Sequence, residues 1–192
     1  MNEKIPKKRF SGVSKASSFI NKSELRSKLR KIRDSIDFKA RSKNVISKLE
    51  ANSYFIKASK IMVYISFGSE VDTISLIKKY FAKKQFYVPV VDFGVCELYD
   101  LNDCVENKYG ILEPRVKKEI DVNDLDLIIL PGVGFDKSRR RLGYGSGYYD
   151  KLLKDCDVKT IALAFDCQII DKLPEEKHDR RVDLLIAERK NI

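Results

Sequence analysis

Histidine and cysteine are scarce in this sequence, which limits the kinds of metal and disulfide site that the chain can form. Glycine is also scarce. There is one histidine, His178, and the four cysteines form no CxxC pair, so a zinc site is not expected. The cysteines instead indicate free thiols in a reducing cytoplasm. No apolar run approaches the roughly 20 residues of a membrane span. The first residues include no apolar stretch suited to a secretion signal.

Acidic residues are scarce only near the start of the chain. Residues 1–50 contain 15 Lys and Arg but 5 Asp and Glu, so of the totals of 38 and 28, 23 of each remain in 51–192. The net charge of +10 therefore belongs to the first fifty residues. Residues 1–20 are rich in Lys and Ser and are predicted to be a basic, disordered extension, while 21–192 are predicted to form one domain. No RNA- or DNA-binding motif accompanies the basic charge, so a nucleic-acid partner is not expected.

Apolar periodicity predicts helices that alternate with strands. Asn21 is a good N-cap for a helix whose apolar positions are Leu25, Leu29, Ile32 and Ile36. Further helices are predicted over 38–50 and 74–81. Strands are predicted over 61–65, 86–91, 97–101, 127–130, 160–165 and 182–187. This alternation predicts a three-layer α/β fold, an open and mostly parallel sheet of Rossmann-like type with helices on both faces.

The few glycines are concentrated in one stretch, since five of the nine lie between Gly132 and Gly147. A strand buried on both faces is predicted just before them, and a helix just after. Strand, glycine-rich loop and helix form an arrangement in which backbone N–H groups can face a phosphate. Arg139, Arg140 and Arg141 add positive charge to the loop. A flexible hairpin with a solvated basic tip explains the same residues equally well.

The string Arg141–Asp150, RLGYGSGYYD, with Asp136 before it, resembles the signature loop of the 5-formyltetrahydrofolate cyclo-ligase family. Further segments resemble the family in the same order along the chain. They are the Lys-x-x-x-Arg of Lys22–Arg26, the GI-x-EP of Gly110–Pro114, and the segments between Ala162 and Asp183. Arg139 departs from the family, because glycine usually stands there. An arginine is costly at that position if the backbone requires a positive φ.

The resemblance implies ATP as a co-substrate and Mg²⁺ as a cofactor. It implies catalytic roles for Arg141 and Asp150, and magnesium binding by Asp150 and Asp183. The implied ATP-binding residues are Lys22, Arg26, Arg141, Leu142, Gly143, Tyr144, Gly145, Ser146, Gly147, Tyr148 and Tyr149. Without the family resemblance, Lys22 and Arg26 would be interpreted only as part of the solvent-exposed face of a helix. Asp150 and Asp183 would then be ordinary carboxylates at the ends of elements.

The resemblance also implies a reduced folate as substrate. The implied substrate-binding residues are Ile65, Glu70, Tyr109, Tyr144, Gly145, Ser146, Gly147 and Tyr148. Glu70 follows a strand end, where open α/β sheets place ligands, but a carboxylate that starts a helix would look the same. Tyr109 is suited to stacking on a pterin ring, and local packing beside Gly110 is the commoner role for such a residue.

The activity implied by the resemblance is cyclisation of 5-formyltetrahydrofolate to 5,10-methenyltetrahydrofolate, with ATP converted to ADP and phosphate. We expect a cytoplasmic monomer whose partners are small molecules. Two other hypotheses remain open from the residues alone. One is a phosphate- or RNA-binding module without catalysis, and the other is a sugar-phosphate or coenzyme A enzyme on a similar sheet.

Overall fold

The computed structural model of the protein describes residues 21–174, 180–189 and 192. The predicted extension 1–20 and His178 lie outside the described residues. Among the helices within those ranges, none is both long and apolar enough to cross a membrane.

The described residues form five α-helices. They are α1 (Lys22–Asp34), α2 (Phe38–Glu50), α3 (Ser53–Lys57), α4 (Thr73–Tyr80) and α5 (Tyr148–Leu152). α1 begins as predicted after Asn21, whose side chain accepts a hydrogen bond from the Glu24 N–H at 2.9 Å. Asp37 caps α2 in the same way, by accepting from the Ala40 N–H at 3.1 Å.

Twelve strands follow these helices or separate them in the described ranges. They are β1 (Lys60–Val63), β2 (Gln85–Val90), β3 (Gly94–Glu97), β4 (Cys104–Glu106), β5 (Leu112–Pro114), β6 (Glu119–Ile120), β7 (Leu127–Leu130), β8 (Gly134–Asp136), β9 (Arg141–Leu142), β10 (Thr160–Leu163), β11 (Ile169–Ile170) and β12 (Leu184–Ile186). The prediction of a strand over 97–101 was wrong, because β3 ends at Glu97 and a 3₁₀ turn covers Leu101–Asp103.

Seven strands build the main sheet in the order β12-β10-β7-β1-β2-β3-β6. The strands from β12 to β2 are parallel to their neighbours, whereas β3 and β6 pair in antiparallel fashion. The central strand β1 pairs Ile61 with Leu127 of β7 on one side and with Phe86 of β2 on the other. The predicted mostly parallel sheet is confirmed. The carboxyl ends of its parallel strands meet at one edge.

The two faces of the sheet are covered differently. On one face, buried residues of α2, α3 and α4 pack with sheet residues such as Ile61 and Ile129. On the other face, Ile128 packs with Phe135 of β8 and Leu153 just beyond α5. The second covering layer is therefore one short helix and part of a three-stranded sheet, β11-β8-β9, in place of long helices.

α1 packs outside this main core, against the three-stranded sheet. Its Leu25 and Leu29 form a separate apolar cluster with residues that include Val133 and Leu142. A Cβ added to Gly134 would lie 2.4 Å from Leu29 Cδ1, so the close approach of helix and strand requires glycine there. The predicted apolar stripe is confirmed at Leu25 and Leu29, and Ile36 just beyond α1 packs against the main core, but the prediction was wrong at Ile32. Ile32 is 36% exposed, whereas the neighbouring Arg33 is buried at 6%.

The turn between β8 and β9 is organised around a buried carboxylate. Asp136 is fully buried and accepts hydrogen bonds from the N–H groups of Ser138, Arg140 and Leu173 at 2.9–3.1 Å. Arg139 keeps the left-handed backbone of this turn, with φ 63°, although glycine is absent. Its guanidinium donates to the Asp183 carbonyl at 2.7 Å, which offsets part of the conformational cost.

Candidate functional site

A cleft with a volume of about 1410 Å³ opens at the carboxyl ends of β1, β2 and β7. Ile65, Val91 and Pro131, which follow these three strands, lie in its wall. The opposite wall consists of α1 and the loop 143–147. Because parallel strands end at the same edge, residues far apart in sequence meet here.

The cleft brings together the residues that the sequence analysis assigned to ATP and to folate. Its lining includes Lys22, Arg26, Ile65, Glu70, Tyr109, Arg141, Leu142, Gly143, Tyr144, Gly145, Ser146, Gly147, Tyr148, Tyr149 and Asp150. These residues come from four separate parts of the chain, so their convergence is a property of the fold. Their binding roles stay predictions.

The glycine loop is held against α1 by an arginine. Arg26 Nε donates a hydrogen bond to the Gly143 carbonyl at 2.8 Å, which links residues 117 positions apart. Gly145 and Gly147 have φ values of 109° and 69°, a backbone region that favours glycine. A Cβ on Gly145 would lie 3.5 Å from the Arg26 guanidinium carbon, so the loop runs close to this cation.

Arg141 and Asp150 form an ion pair beside the loop. Arg141 Nη2 lies 2.9 Å from Asp150 Oδ1, and the Arg141 guanidinium carbon also lies over the Tyr149 ring, 5.1 Å from its centroid. The Arg141 side chain is 4% exposed, whereas that of Asp150 is 35% exposed. Arg141 is thus fixed by its contacts, and Asp150 keeps a carboxylate oxygen open to the cleft.

Asp183 does not join this site, which corrects the prediction of a shared magnesium site with Asp150. It precedes β12, and its carboxylate binds Lys159 Nζ at 2.9 Å and the Thr160 N–H and hydroxyl at 2.8 Å. Thr160 is the first residue of β10, so Asp183 lies at the amino ends of the strands. The cleft lies at their carboxyl ends, on the opposite edge of the sheet.

The residues present fit a magnesium ion only in a limited way. The described part of the chain has no group of three or more His, Cys, Asp or Glu side chains that could hold a metal by themselves. Magnesium in proteins that use ATP is often bound by one or two carboxylates together with phosphate oxygens and waters. Asp150 fits that pattern as a single carboxylate beside the loop.

A polar cluster in the wall of the cleft connects α1 to the loop that follows β1. Its Arg33, Ser69 and Glu70 are buried, whereas Tyr144 is 38% exposed. Tyr144 donates its hydroxyl hydrogen to Glu70, and Glu70 also accepts from the Phe67 N–H at 2.9 Å. Arg33 donates to the Tyr144 hydroxyl oxygen at 3.1 Å and to Ser69 Oγ at 2.9 Å. The sequence analysis missed Arg33 and Ser69. The spacing of Arg26, Arg30 and Arg33, four and then three residues, was the available signal.

Burial changes the proton affinity of the cluster. Loss of hydration raises the pKa of Glu70 above its usual 4.5, against the opposing hydrogen bonds from Tyr144 and Phe67. Burial and the nearby Glu70 raise the pKa of Tyr144, so this phenol remains a hydrogen-bond donor at neutral pH. A carboxylate that costs free energy to bury, at the wall of a cleft, is typical of a functional site.

Three exposed aromatic rings stand at the rim of the cleft. Phe67, Phe93 and Tyr109 are 53%, 48% and 59% exposed, and each comes from a different connection between strands or from a strand to a helix. Lys117 Nζ lies over the Phe93 ring at 4.4 Å from its centroid. Large exposed rings around an opening are suited to stacking on a planar ligand.

Comparisons with known proteins agree with this geometry. A family model described as the 5-formyltetrahydrofolate cyclo-ligase family matches residues 18–188. A protein of Mus musculus named 5-formyltetrahydrofolate cyclo-ligase is 35% identical over 160 residues, which cover 73% of this chain and 79% of that protein. The protein of the same name from Escherichia coli (strain K12) is 35% identical over 136 residues, or 65% of this chain and 75% of that protein.

A solved structure is also similar. The NMR structure of Aquifex aeolicus 5,10-methenyltetrahydrofolate synthetase superposes with a TM-score of 0.79 at 32% identity, covering 88% of this chain and 91% of that one. The residues that the family model matches, 18–188, include the glycine loop, α1 and the strand ends that line the cleft. This chain belongs to the 5-formyltetrahydrofolate cyclo-ligase family.

Proposed function

We propose that the protein cyclises 5-formyltetrahydrofolate to 5,10-methenyltetrahydrofolate, with Mg-ATP converted to ADP and phosphate. The observation that carries the proposal is the single cleft in which α1, the β1 end and the glycine loop converge. Family membership supplies the reaction class. The ATP, magnesium and folate assignments come from the family resemblance, and the chemistry of the cleft residues supports them.

The reaction needs an activated formyl oxygen, because a formyl amide is a poor electrophile and its oxygen a poor leaving group. Transfer of the γ-phosphoryl group to that oxygen forms an O–P bond and releases ADP. N10 then attacks the formyl carbon and a C–N bond forms. The N10 proton is released to solvent, the C–O bond breaks, and phosphate departs. Phosphoryl transfer is accelerated mainly by positioning and by neutralising phosphate charge, so no covalent nucleophile is required.

The cations of the cleft suit that task. Lys22 and Arg26 lie one turn apart on α1, and Arg141 lies across from them beside the loop. Packing and hydrogen bonds hold Arg26 and Arg141, so they lose little freedom when they bind a phosphate. The backbone N–H groups of the glycine loop are further donors. α5 has only five residues, so the loop and the arginines are the main phosphate donors that we propose.

Asp150 is the residue that we propose for magnesium. The ion, when bound with ATP, neutralises phosphate charge. Asp150 would hold it through its exposed oxygen, while Arg141 keeps the carboxylate oriented by their ion pair at 2.9 Å. Asp183 has no part in this proposal because it lies at the other edge of the sheet.

The folate would occupy the part of the cleft between Glu70 and the aromatic rim. A reduced pterin carries several N–H donors on one edge, and a carboxylate such as Glu70 accepts from them. Tyr109 and Phe93 offer exposed rings for the planar parts of the substrate. With ATP at the glycine loop and folate at Glu70, the γ-phosphate and the formyl oxygen would meet near Tyr144.

An absorbance assay for methenyltetrahydrofolate tests the proposal. The purified protein is incubated with 5-formyltetrahydrofolate, with and without ATP and with and without magnesium. We expect product only when all three are present. A folded protein that makes no product under these conditions would contradict the proposal. Tight RNA binding that falls steeply with salt, in place of turnover, would favour the binding-module hypothesis.

A further inference from the structure

Arg33 is a buried cation of the cleft that the proposed reaction does not use. It is 6% exposed, lies near the end of α1 and lines the cleft. Burying a guanidinium is costly unless it is paired and hydrogen-bonded. Its burial therefore indicates a specific role, in contrast to exposed cations of the same helix such as Lys31.

The contacts of Arg33 all lead towards Glu70. Its Nη1 donates to the Tyr144 hydroxyl, which in turn donates to Glu70. Its Nε donates to Ser69, the residue before Glu70, and Ser69 donates to Asp34. One guanidinium thus joins the glycine loop, through Tyr144, to the segment that holds the carboxylate.

The other charged or titratable groups near Glu70 do not duplicate Arg33. Arg30 lies above the Tyr144 ring at 5.0 Å to its centroid and is exposed, so water screens its charge. Tyr64 is buried and Tyr149 is half-buried. Both phenols are neutral at physiological pH, because loss of hydration raises the pKa of each. Arg33 is the buried positive charge that faces Glu70 in the described part of the chain.

We propose that Arg33 is a positioning residue of the cyclo-ligase reaction, which keeps Glu70 ionised and holds Tyr144 between the glycine loop and the folate. This inference rests on the proposed function. An ionised Glu70 accepts hydrogen bonds from a reduced pterin, whereas a protonated one must donate one of its own. The Tyr144 bridge keeps the ATP loop and the folate carboxylate at a fixed separation, which in-line transfer requires.

The pH profile of kcat/KM for the reduced folate tests this role. Arg33→Gln removes the positive charge, so Glu70 binds a proton more readily. As pH is lowered, kcat/KM should therefore begin to fall at a higher pH than in the unaltered protein. We expect the acid limb to move up by on the order of one pH unit, as for loss of a neighbouring opposite charge. Lys31→Gln removes a charge from the exposed face of the same helix and is the matched control, with an unchanged limb.

Two further variants identify the group that responds. Arg33→Lys keeps the charge but loses the planar fork, so the limb should stay while kcat/KM falls by about tenfold. In a Glu70→Gln background, Arg33→Gln should cause no further shift of the limb. A limb of Arg33→Gln that coincides with that of the unaltered protein, or a shift that persists without Glu70, would overturn the inference.

Folding is checked by circular dichroism before the kinetics. If Arg33→Gln fails to fold, Arg33→Lys decides, because undiminished kcat/KM in that variant would also overturn the inference. An unaltered protein that makes no methenyltetrahydrofolate at any pH would refute the proposed function, and this inference with it. An active unaltered protein with unresponsive Arg33 variants would refute the inference alone.

Discussion

Two buried carboxylates in different regions of this molecule are held in different ways. Asp136, in the β8–β9 turn, accepts three backbone N–H groups and lies beside Arg140 Nη1 at 3.5 Å. Glu70, at the cleft, accepts one backbone N–H and one phenol, and its pKa is raised by burial. The first carboxylate is fully satisfied by the fold. The second is left with accepting capacity that faces an opening, which is where a ligand would bind.

A carboxylate can therefore be assigned to structure or to function by asking what remains unsatisfied around it. Asp183 resembles Asp136 by this criterion although its side chain is 38% exposed, since Lys159 and Thr160 donate to both of its carboxylate oxygens. Asp150 resembles Glu70, because both line the cleft and the bond that Asp150 accepts from Arg141 engages one of its oxygens. The predictions below separate these two pairs.

The largest effect is expected for Asp150→Asn. The exchange is nearly isosteric but removes the charge that a magnesium ion needs, so turnover should fall by on the order of 10²–10³. Asp183→Asn is the matched control and should keep turnover per folded molecule near that of the unaltered protein. The measurement is the cyclisation rate at saturating magnesium. Equal losses of turnover in the two variants would show that Asp183 contributes to the site as much as Asp150 does.

The second prediction contrasts Asp136 with Glu70 by unfolding free energy. Asp136→Asn loses an acceptor for buried N–H groups and the charge beside Arg140, and should cost about 3 kcal/mol. Glu70→Gln should cost much less, because it removes a charge that is costly to bury. Denaturant unfolding at neutral pH measures both. A Glu70→Gln loss as large as that of Asp136→Asn would remove the distinction.

Glu70 also gives the stability of the protein a pH dependence. Because the pKa of Glu70 is raised above 4.5, the folded state holds this proton more tightly than the unfolded state does. Its contribution to stability is thus present below the usual pKa and is lost as pH rises through the raised value. Glu70→Gln lacks that loss. Thermal unfolding is measured from about pH 4 to about pH 8. The stability of the variant relative to the unaltered protein should increase as pH rises.

A smaller effect distinguishes two sources of basic charge. Lys22→Ala or Arg26→Ala should weaken ATP use by about tenfold, as loss of a charged hydrogen bond implies. Deleting residues 1–20 should change the Michaelis constant for ATP by less than about twofold. The sequence predicts no helix or strand for these residues, and the charges of such a segment would be screened and costly to order. All proteins are compared at one ionic strength. A harmful deletion with harmless point variants would move the phosphate site into the first 20 residues.

The smallest effect is expected at Arg139. Arg139→Gly relieves a positive φ worth about 1 kcal/mol but loses the bond to the Asp183 carbonyl, so stability should rise by less than about 1 kcal/mol. Arg139→Ala loses the bond without that relief and should be less stable than the unaltered protein. Thermal unfolding of the three proteins measures the order. A more stable alanine variant would show that the bond contributes nothing.

Local signals in the sequence predicted the parts of the fold that local interactions determine. α1 and α2 begin where Asn21 and Asp37 supply caps, and β7 spans the predicted apolar run. α3 has five residues, too few for a periodic pattern. β9 and β11 have two residues each and exist only through pairing with β8. Pairing between distant residues leaves little local signal.

The cleft shows the same limit. The glycine loop and Lys22 were identified because a family resemblance marked them, and the fold brought them together. Arg33 was missed because the apolar pattern predicted that its neighbour Ile32 faces inward. Its burial depends on Ser69 and Tyr144, which are 36 and 111 residues away. Asp183 was wrongly placed because a motif shows only the order of residues along the chain. The edge of the sheet at which a residue lies depends on the topology, which the motif does not show.

The separate packing of α1 has a consequence for the order in which parts of the molecule open. Its partner Gly143 is 117 residues away, and its apolar contacts lie outside the core of the main sheet. An element that is held by few buried apolar contacts outside the main core opens more readily than the core strands do. The seven-stranded sheet can therefore stay folded while α1 separates from it, and the cleft cations Lys22 and Arg26 then leave the cleft. We expect ATP binding to hold α1 against the glycine loop. Amide hydrogen exchange in α1 should therefore slow when nucleotide is added, while exchange in β1 and β7 stays unchanged.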